Sequence, residues 1–124
     1  MTILQTNKAR AYDLESRTLQ FAMTVNNYVG RLPQTVANQE NGRQLIRSAG
    51  SVGANYIEAN EALSKKDFAM RVKISKKEAK ESRFWISLTQ PSKEEINIRE
   101  HLINESTELM KILGAILEAS LIRV

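Results

Sequence analysis

The sequence predicts an all-α protein that folds as an antiparallel, up-down-up-down four-helix bundle. Its 124 residues form one domain, residues 1–124, with room for four helices of about six turns each. Only two prolines and five glycines occur, so the chain contains few residues that end helices. Apolar residues also recur at alternating three- and four-residue steps through four segments, which is typical of helices that each bury one side.

The first predicted helix covers residues 13–31 with Asp13 as its N-cap, and we expect residues 1–12 to form an N-terminal tail. Pro33 ends this helix because the residue before a proline is disfavoured in the α conformation. One stripe is predicted to face the core: Leu14, Thr18, Phe21, Val25, Tyr28 and Leu32, widened by Ala22 and Val29.

The second predicted helix covers residues 39–63 and contains a run of small residues, 48–54. Its core stripe is predicted to be Leu45, Ala49, Val52, Tyr56 and Leu63, broadened by Ile46 and Ile57. Within the small run, Gly50 and Gly53 each cost about 0.5–1 kcal/mol of helix stability relative to alanine. We therefore expect another backbone to approach closely there, as a tight helix crossing rather than a ligand cleft.

The third and fourth helices begin with similar capping signals. Ser64 with Asp67 opens the third helix, residues 64–89, and Ser92 with Glu95 opens the fourth, which extends to about residue 123. The third helix has one stripe, formed by Phe68, Val72, Ser75, Ala79, Ser82 and Ile86. The fourth has a broad apolar arc, formed by Ile96, Leu102, Ile103, Leu109, Met110, Ile112, Leu113, Ile116, Leu117 and Leu121. An arc of this width predicts cover on more than one side.

The composition argues against the common catalytic chemistries. Cysteine is absent, so thiol nucleophiles and zinc–thiolate sites cannot be built. The single histidine, His101, is expected at the surface near the start of the fourth helix rather than in a nucleophile–histidine triad. A di-iron bundle site needs two Glu-x-x-His pairs, and Ile98 stands three residues before His101. We therefore predict no enzyme activity, no metal, no cofactor and no small-molecule substrate.

The chain is also predicted to be a cytoplasmic protein that does not bind membranes. No stretch approaches the roughly 18 apolar residues that a transmembrane helix needs. The first ten residues contain no apolar core of a signal peptide. The lack of cysteine fits a reducing compartment.

Positive charge is concentrated in the third helix. Residues 65–83 contain eight basic and three acidic residues, a net +5, whereas the whole chain carries +4. Six of the basic residues fall within about 120° on a helical wheel. They are Lys66, Lys73, Lys76, Lys77, Lys80 and Arg83. This basic face is either an ordinary solvated surface or a site that follows the phosphates of a nucleic acid.

Three pairs of glutamates lie three residues apart: Glu58/Glu61, Glu78/Glu81 and Glu105/Glu108. Paired carboxylates can hold a hard cation, but on exposed helices they are usually solvated or ion-paired. The pair Glu78/Glu81 is predicted near the edge of the core, where it would need a cationic partner. Arg47 or Arg71 could supply it.

Short motifs in the second and third helices form a specific set. They are Arg47-Ser48, the run from Ser51 to Ala59, Lys65-Lys66-Asp67-Phe68, Lys77-Glu78-Ala79 and Glu81-Ser82-Arg83-Phe84-Trp85. With this set, residues 44–88 resemble the family of four-helix-bundle proteins named for the intervening sequences of bacterial 23S rRNA genes. The other helices fit this family in length and spacing.

The resemblance implies an antiparallel bundle that assembles into a ring-shaped homopentamer and has no enzymatic activity. The family is also similar to the accessory bundle proteins of diversity-generating retroelements, which bind nucleic acid and a reverse transcriptase. The positions that carry the family pattern are Arg47, Asn55, Glu58, Glu78, Glu81 and Arg83. They fit a polar network between helices or subunits at least as well as a ligand site.

Two functional hypotheses follow. The first is a non-catalytic, homo-oligomeric binding scaffold, with the apolar arc of the fourth helix or the small-residue face of the second at the interface. The alternative is nucleic-acid binding through the basic face of the third helix. An enzyme would instead require a pocket that gathers Glu58, Glu78 or Glu81.

Overall fold

Four long helices make up the protein in the computed structural model, which describes the backbone of residues 3–122 and the side chains of residues 13–121. The helices are α1 (Ile3–Gly30), α2 (Val36–Asn60), α3 (Lys65–Leu88) and α4 (Ile96–Ile122), with a short 3-10 turn, Lys93–Glu95, before α4. No strand occurs among residues 3–122. The predicted all-α, four-helix fold is confirmed.

The helix α1 is longer than the sequence indicated. It begins at Ile3, ten residues before Asp13, so the prediction of Asp13 as its N-cap is wrong. Residues 3–12 contain neither glycine nor proline, and nothing in their sequence stops the helix from continuing towards the N-terminus. Of the predicted tail, Met1 and Thr2 lie outside the described residues.

The starts of α2 and α3 are fixed by side-chain caps. The Thr35 hydroxyl accepts a hydrogen bond from the backbone N–H of Asn38 at 3.1 Å, so α2 begins at Val36, three residues earlier than predicted. The Ser64 hydroxyl accepts from the N–H of Asp67 at 3.0 Å, which confirms the predicted cap of α3.

The predicted cap of α4 is wrong. Ser92 makes no side-chain capping bond, and the chain passes through the 3-10 turn instead. There the backbone N–H of Glu95 donates to the carbonyl of Ser92 at 3.0 Å. Glu95 forms a salt bridge with Arg31 on α1 at 3.5 Å, so its carboxylate is directed across the bundle rather than back to the helix start.

Each helix packs against the next one along the chain, and α1 also packs against α4. Between α2 and α3, Ser48 contacts Ser82, whereas the later carbonyl of Val52 accepts from the earlier Ser75. Ascending numbers in one helix thus meet descending numbers in the next, which is the order expected of antiparallel neighbours.

The core runs the length of the bundle and follows the predicted stripes closely. The entire predicted stripe of α1 is buried, as are Leu45, Ala49, Val52 and Tyr56 of α2 and Val72, Ala79 and Ile86 of α3. The prediction for Leu63 is wrong: α2 ends at Asn60, and Leu63 lies fully exposed in the connection. Ile46 and Ile57, expected to broaden the stripe, are also exposed.

The broad arc of α4 is largely covered within the subunit. Leu102, Leu109 and Leu113 are buried. Ile103, Met110, Ile112, Ile116 and Leu117 are half-buried and pack against the core. The outward face is mostly polar: Asn97, Glu100, His101, Asn104, Glu108, Lys111 and Glu118 are exposed.

Candidate functional site

Four lysines of α3 remain on the outside of the bundle and form a straight row, which we call the lysine stripe: Lys66, Lys73, Lys77 and Lys80. Exposed Met70 and Phe84 continue the same row, so that its members are four and three residues apart in alternation. Such spacing places side chains in a line along one side of a helix. From Lys66 to Lys80 the row extends about 21 Å.

The other two residues of the predicted basic face turn towards α4. The last atoms of the Lys76 side chain lie over Gly114: a Cβ added to this glycine would be 3.2 Å from the lysine Nζ and 3.5 Å from its Cε. Arg83 donates a hydrogen bond to the Thr107 hydroxyl at 3.2 Å. Both side chains are half-buried between α3 and α4. The structure therefore divides the six predicted residues into four that point outward and two that pack between helices.

On the opposite side of α3, Arg47 of α2 binds both carboxylates of the Glu78/Glu81 pair. Its guanidinium donates to the two oxygens of Glu78 at 3.3 and 3.4 Å and also to Glu81. The hydrogen bonds to Glu78 raise the pKa of Arg47 above its ordinary value. The Trp85 indole N–H donates to Glu81 at 3.2 Å. Arg47 thus binds both members of the pair at the α2–α3 seam, and its single positive charge offsets one of the two negative charges.

Asn55 forms a separate contact with the second candidate arginine. It donates to the carbonyl of Ser51 at 2.9 Å, and its side-chain oxygen accepts from Arg71 at 3.3 Å. Glu58 is exposed, and no described hydrogen bond or salt bridge joins it to Arg47 or Asn55. Four of the six positions that carry the family pattern therefore lie in two contacts between α2 and α3. Arg83 contacts Thr107 of α4 instead, and Glu58 lies outside these contacts.

Small hydroxyl residues bring α2 and α3 close together. Ser82 donates to the Ser48 hydroxyl at 2.9 Å, and Ser75 donates to the carbonyl of Val52 at 2.7 Å. All three serines are fully buried. Because serine side chains are small and bond directly across the contact, α2 and α3 lie close together here without large side chains between them.

The small-residue run of α2 has two different sides. A Cβ on Gly53 would lie 2.9 Å from the Thr18 hydroxyl oxygen, so α1 crosses tightly there, as predicted. Gly50 has nothing within 4 Å of the corresponding position and is exposed, so the prediction of close approach within the chain is wrong for Gly50. On a helical wheel Gly50 lies beyond Gly53, away from the core.

Exposed apolar side chains of α1 and α2 lie at about the same height along the bundle as Gly50. We call the surface they form the α1–α2 apolar face. Its members and their exposed fractions are Leu19 61%, Met23 50%, Ile46 42% and Ile57 47%. If the pairing of Thr18 with Gly53 is extended along both helices, the four lie within about 16 Å of one another along the axis, with Gly50 near the middle.

A buried amide at one end of the bundle joins two connections, and sequence reasoning missed it. Asn38 is 3% exposed and donates to the carbonyl oxygens of Pro33 and Gln90 at 2.9 and 3.0 Å. Its side-chain oxygen accepts from the N–H of Gln90 at 2.9 Å. The available signal was its register, because Asn38 lies seven residues before Leu45 in the core stripe of α2.

The same end has two open depressions. One, of about 260 Å³, is lined by the α1–α2 connection, including Leu32, Pro33 and Asn38. The other, of about 540 Å³, is lined by Leu88, Pro91, Ile96 and Arg99 among others. Neither contains Glu58, Glu78 or Glu81. Within the described residues, no three acidic or histidine side chains are grouped as metal ligands.

Comparison with known proteins gives the family. The chain matches the family of 23S rRNA-intervening sequence proteins over residues 10–115. The protein belongs to this family. A crystal structure of a protein of unknown function from the S23 ribosomal protein family of Bacteroides thetaiotaomicron is similar, with 31% sequence identity and a TM-score of 0.73. The similarity covers 87% of this chain and 97% of that one.

A comparison with curated proteins finds no match to the chain. None of the helices, over the residues that the structure describes, has the length and apolar character to cross a membrane.

Proposed function

We propose that this 23S rRNA-intervening sequence family protein is a non-catalytic binding scaffold that assembles with copies of itself through the α1–α2 apolar face. The assembly we propose is a ring of five copies in the cytoplasm; the number five is what the resemblance to the family implies, and a ring is one of the closed symmetries that homo-oligomers adopt. Gly50 carries the proposal.

No contact within the subunit explains why position 50 is a glycine. A glycine inside a helix costs about 0.5–1 kcal/mol relative to alanine, and at Gly53 the contact with Thr18 explains the cost. At Gly50 a methyl group would meet open space. A close approach from outside the subunit accounts for this glycine, in the way that small residues elsewhere allow two helices to pack closely.

The exposed apolar side chains at about the height of Gly50 supply the rest of an interface. Leu19 and Met23 on α1, with Ile57 on α2, leave apolar surface in contact with water. Exposed apolar side chains with a small residue at about the same height have the composition of the core of a protein–protein contact. The apolar arc of α4, the other candidate, is a weaker interface because it is mostly covered within the subunit.

Sedimentation equilibrium of the full chain tests the proposal. Wild type should sediment as an oligomer, and Leu19→Glu should sediment as a monomer with unchanged helix content, because a charge would be buried at the contact. Leu63→Glu is the matched control: Leu63 is exposed in the α2–α3 connection, and the variant should assemble like wild type. A monomeric wild type would overturn the proposal.

Nucleic-acid binding is a second candidate function, favoured by the lysine stripe. Four ammonium groups lie in a row, and on the same helix the carboxylates of Glu78 and Glu81 are bound by Arg47, which offsets one of their two charges. A row of about 21 Å follows a few phosphates of a nucleic-acid backbone.

Salt-dependent binding of a short DNA or RNA tests this candidate. The slope of log K against log salt should fall by roughly 0.9 for each phosphate-contacting lysine replaced, as in Lys66→Gln or Lys73→Gln on duplex DNA. Lys111→Gln, on the polar side of α4, serves as the control. If the stripe variants and the control behave alike, the lysines only keep the protein soluble.

A further inference from the structure

We infer that the contact between copies joins two different surfaces: the α1–α2 apolar face of one copy packs on a patch formed by Phe84, Leu88 and Ile96 of the next. This inference rests on the proposed assembly and specifies its geometry. We call the second surface the α3–α4 end patch, since it lies where α3 ends and α4 begins.

The α3–α4 end patch is a second place, among the side chains that the structure describes, where large apolar residues are exposed. Phe84 is 57% exposed and lies one turn before Leu88, which puts both on one side of α3. Leu88 and Ile96 line the same depression. The rings of Phe84 and Trp85 pack edge-to-face, with 5.0 Å between their centroids.

The depression of this patch is suited to receive a side chain. It is open, has a volume of about 540 Å³, and has Leu88, Pro91 and Ile96 in its lining. Arg99 also lines this depression, and its guanidinium donates hydrogen bonds to the Glu100 carboxylate and to the carbonyl of Ser87. Leu19, the most exposed member of the α1–α2 apolar face, is an aliphatic side chain of the kind that fills such a depression.

Charge around the two surfaces is complementary. Exposed Glu58 follows Ile57 in the last turn of α2, and exposed Glu61 is the first residue after this helix. Lys77 and Lys80, also exposed and one turn apart, precede Phe84 on the end patch. Opposite charges at the rim of an apolar contact fix its register. This arrangement also gives Glu58 a partner, which it lacks in the described contacts with Arg47 and Asn55.

Symmetry supports the pairing of unlike surfaces. If the α1–α2 apolar face met its own counterpart, one contact would form and Phe84, Leu88 and Ile96 would stay in water. When one surface meets the other, every copy uses both, and the contact repeats until the ring closes. Lys66 lies 18 residues before Phe84, about 27 Å along α3, and so remains outside the contact.

A mixing experiment with full-length variants tests the inference. Leu19→Glu places a charge on the α1–α2 apolar face, and Phe84→Glu places a charge on the α3–α4 end patch; each change should prevent that surface from forming the contact. Each variant alone should be monomeric, because every contact would include one damaged surface. Mixed in equal amounts, they should form a dimer of about twice 14.0 kDa, since each variant retains the surface that the other lacks. Sedimentation velocity of the separate and mixed samples measures this.

The outcomes separate the inference from the proposed function. If Phe84→Glu assembles like wild type while Leu19→Glu does not, the inference is wrong and the scaffold proposal stands. If both variants are monomeric and their mixture stays monomeric, the pairing of these two surfaces is wrong. Leu88→Glu repeats the test on the same patch, Leu63→Glu is the control, and circular dichroism verifies folding. A monomeric wild type would overturn both proposals.

Discussion

Asn38 on α2 and Gln90 after α3 bind one another in both directions: the Asn38 amide donates to the Gln90 carbonyl at 3.0 Å, and the Gln90 N–H donates to the Asn38 side-chain oxygen at 2.9 Å. The same amide also donates to Pro33 at 2.9 Å. A single buried side chain therefore holds the α1–α2 connection against the α3–α4 connection.

Replacing Asn38 with alanine should lower the free energy of unfolding by about 1–3 kcal/mol, because the N–H of Gln90 and the carbonyl groups of Pro33 and Gln90 lose a buried partner. Urea denaturation of the full chain measures the loss. Gln39→Ala, at the exposed neighbouring position, should change stability by less than about 0.5 kcal/mol. A loss for Asn38→Ala as small as that of the control would show that the two connections do not depend on this residue.

The two described tyrosines should make the fold sensitive to high pH. Burial raises the pKa of Tyr28 and of Tyr56, so the folded state holds each phenolic proton more tightly than the unfolded chain. Their contribution to stability is complete below the unfolded pKa of about 10 and is lost as the pH rises through the folded pKa. The free energy of unfolding, measured from neutral pH to pH 11 or above, should therefore decrease once the pH exceeds about 10.

Tyr28→Phe tests two properties of this side chain: its hydrogen bond to Thr89 and its titration at high pH. Thr89 already donates its hydroxyl proton to the carbonyl of Ile86, so the Tyr28 hydroxyl is the donor in their 2.7 Å hydrogen bond. The variant should lose about 1 kcal/mol at neutral pH and show a smaller decline at alkaline pH than wild type. An unchanged alkaline decline would contradict the assignment of this pH dependence to Tyr28.

Alanine at the two neighbouring glycines of α2 should have opposite effects. Gly53→Ala forces a methyl group against Thr18 and should destabilise the bundle by about 1–3 kcal/mol. Gly50→Ala, measured in the monomeric Leu19→Glu background, should stabilise it by about 0.5–1 kcal/mol, because the methyl group has open space. In the wild-type background the same change should weaken assembly. Thermal denaturation and sedimentation provide the two measurements.

Arg47 should contribute modestly to stability in spite of its several hydrogen bonds. Its side chain is 48% exposed, and exposed ion pairs contribute about 0.2–1 kcal/mol. A double-mutant cycle with Arg47→Ala and Glu78→Gln should give a coupling energy in that range. Arg43→Ala with Glu78→Gln is the control pair and should show none. A coupling well above 1 kcal/mol would mean that the pair is shielded from solvent by something besides the subunit.

The repeated helical spacing was enough to predict the core, but only where the helix boundaries were right. The stripe from Leu14 to Tyr28 lies within α1 and is buried throughout, because position in a helix determines which side faces the core. Leu32 is buried too, but it lies two residues after the helix, so its burial depends on the path of the connection. Leu63 fits the same spacing in α2, yet the helix ends at Asn60, and spacing has no meaning beyond the end. The register of Asn38 was equally regular, but a polar residue is not expected in a core stripe.

Surfaces were harder to predict because a helical wheel does not show the neighbouring helix. Lys76 and Arg83 fall close to the exposed lysines by angle, and only the position of α4 turns them towards Gly114 and Thr107. Gly50 and Gly53 are alike in sequence, and only the crossing of α1 distinguishes the packed glycine from the open one. The choice between Arg47 and Arg71 as partner of Glu78 likewise depended on the spatial relation of α2 to α3.

The molecular mass of the full chain in solution tests the central claim most directly. Light scattering on the purified protein should give a multiple of the subunit mass of 14.0 kDa, and for the proposed ring a mass five times that value. Leu19→Glu, with its helix content intact, should reduce it to a single subunit. A wild-type mass of one subunit across the accessible protein concentrations would contradict the account.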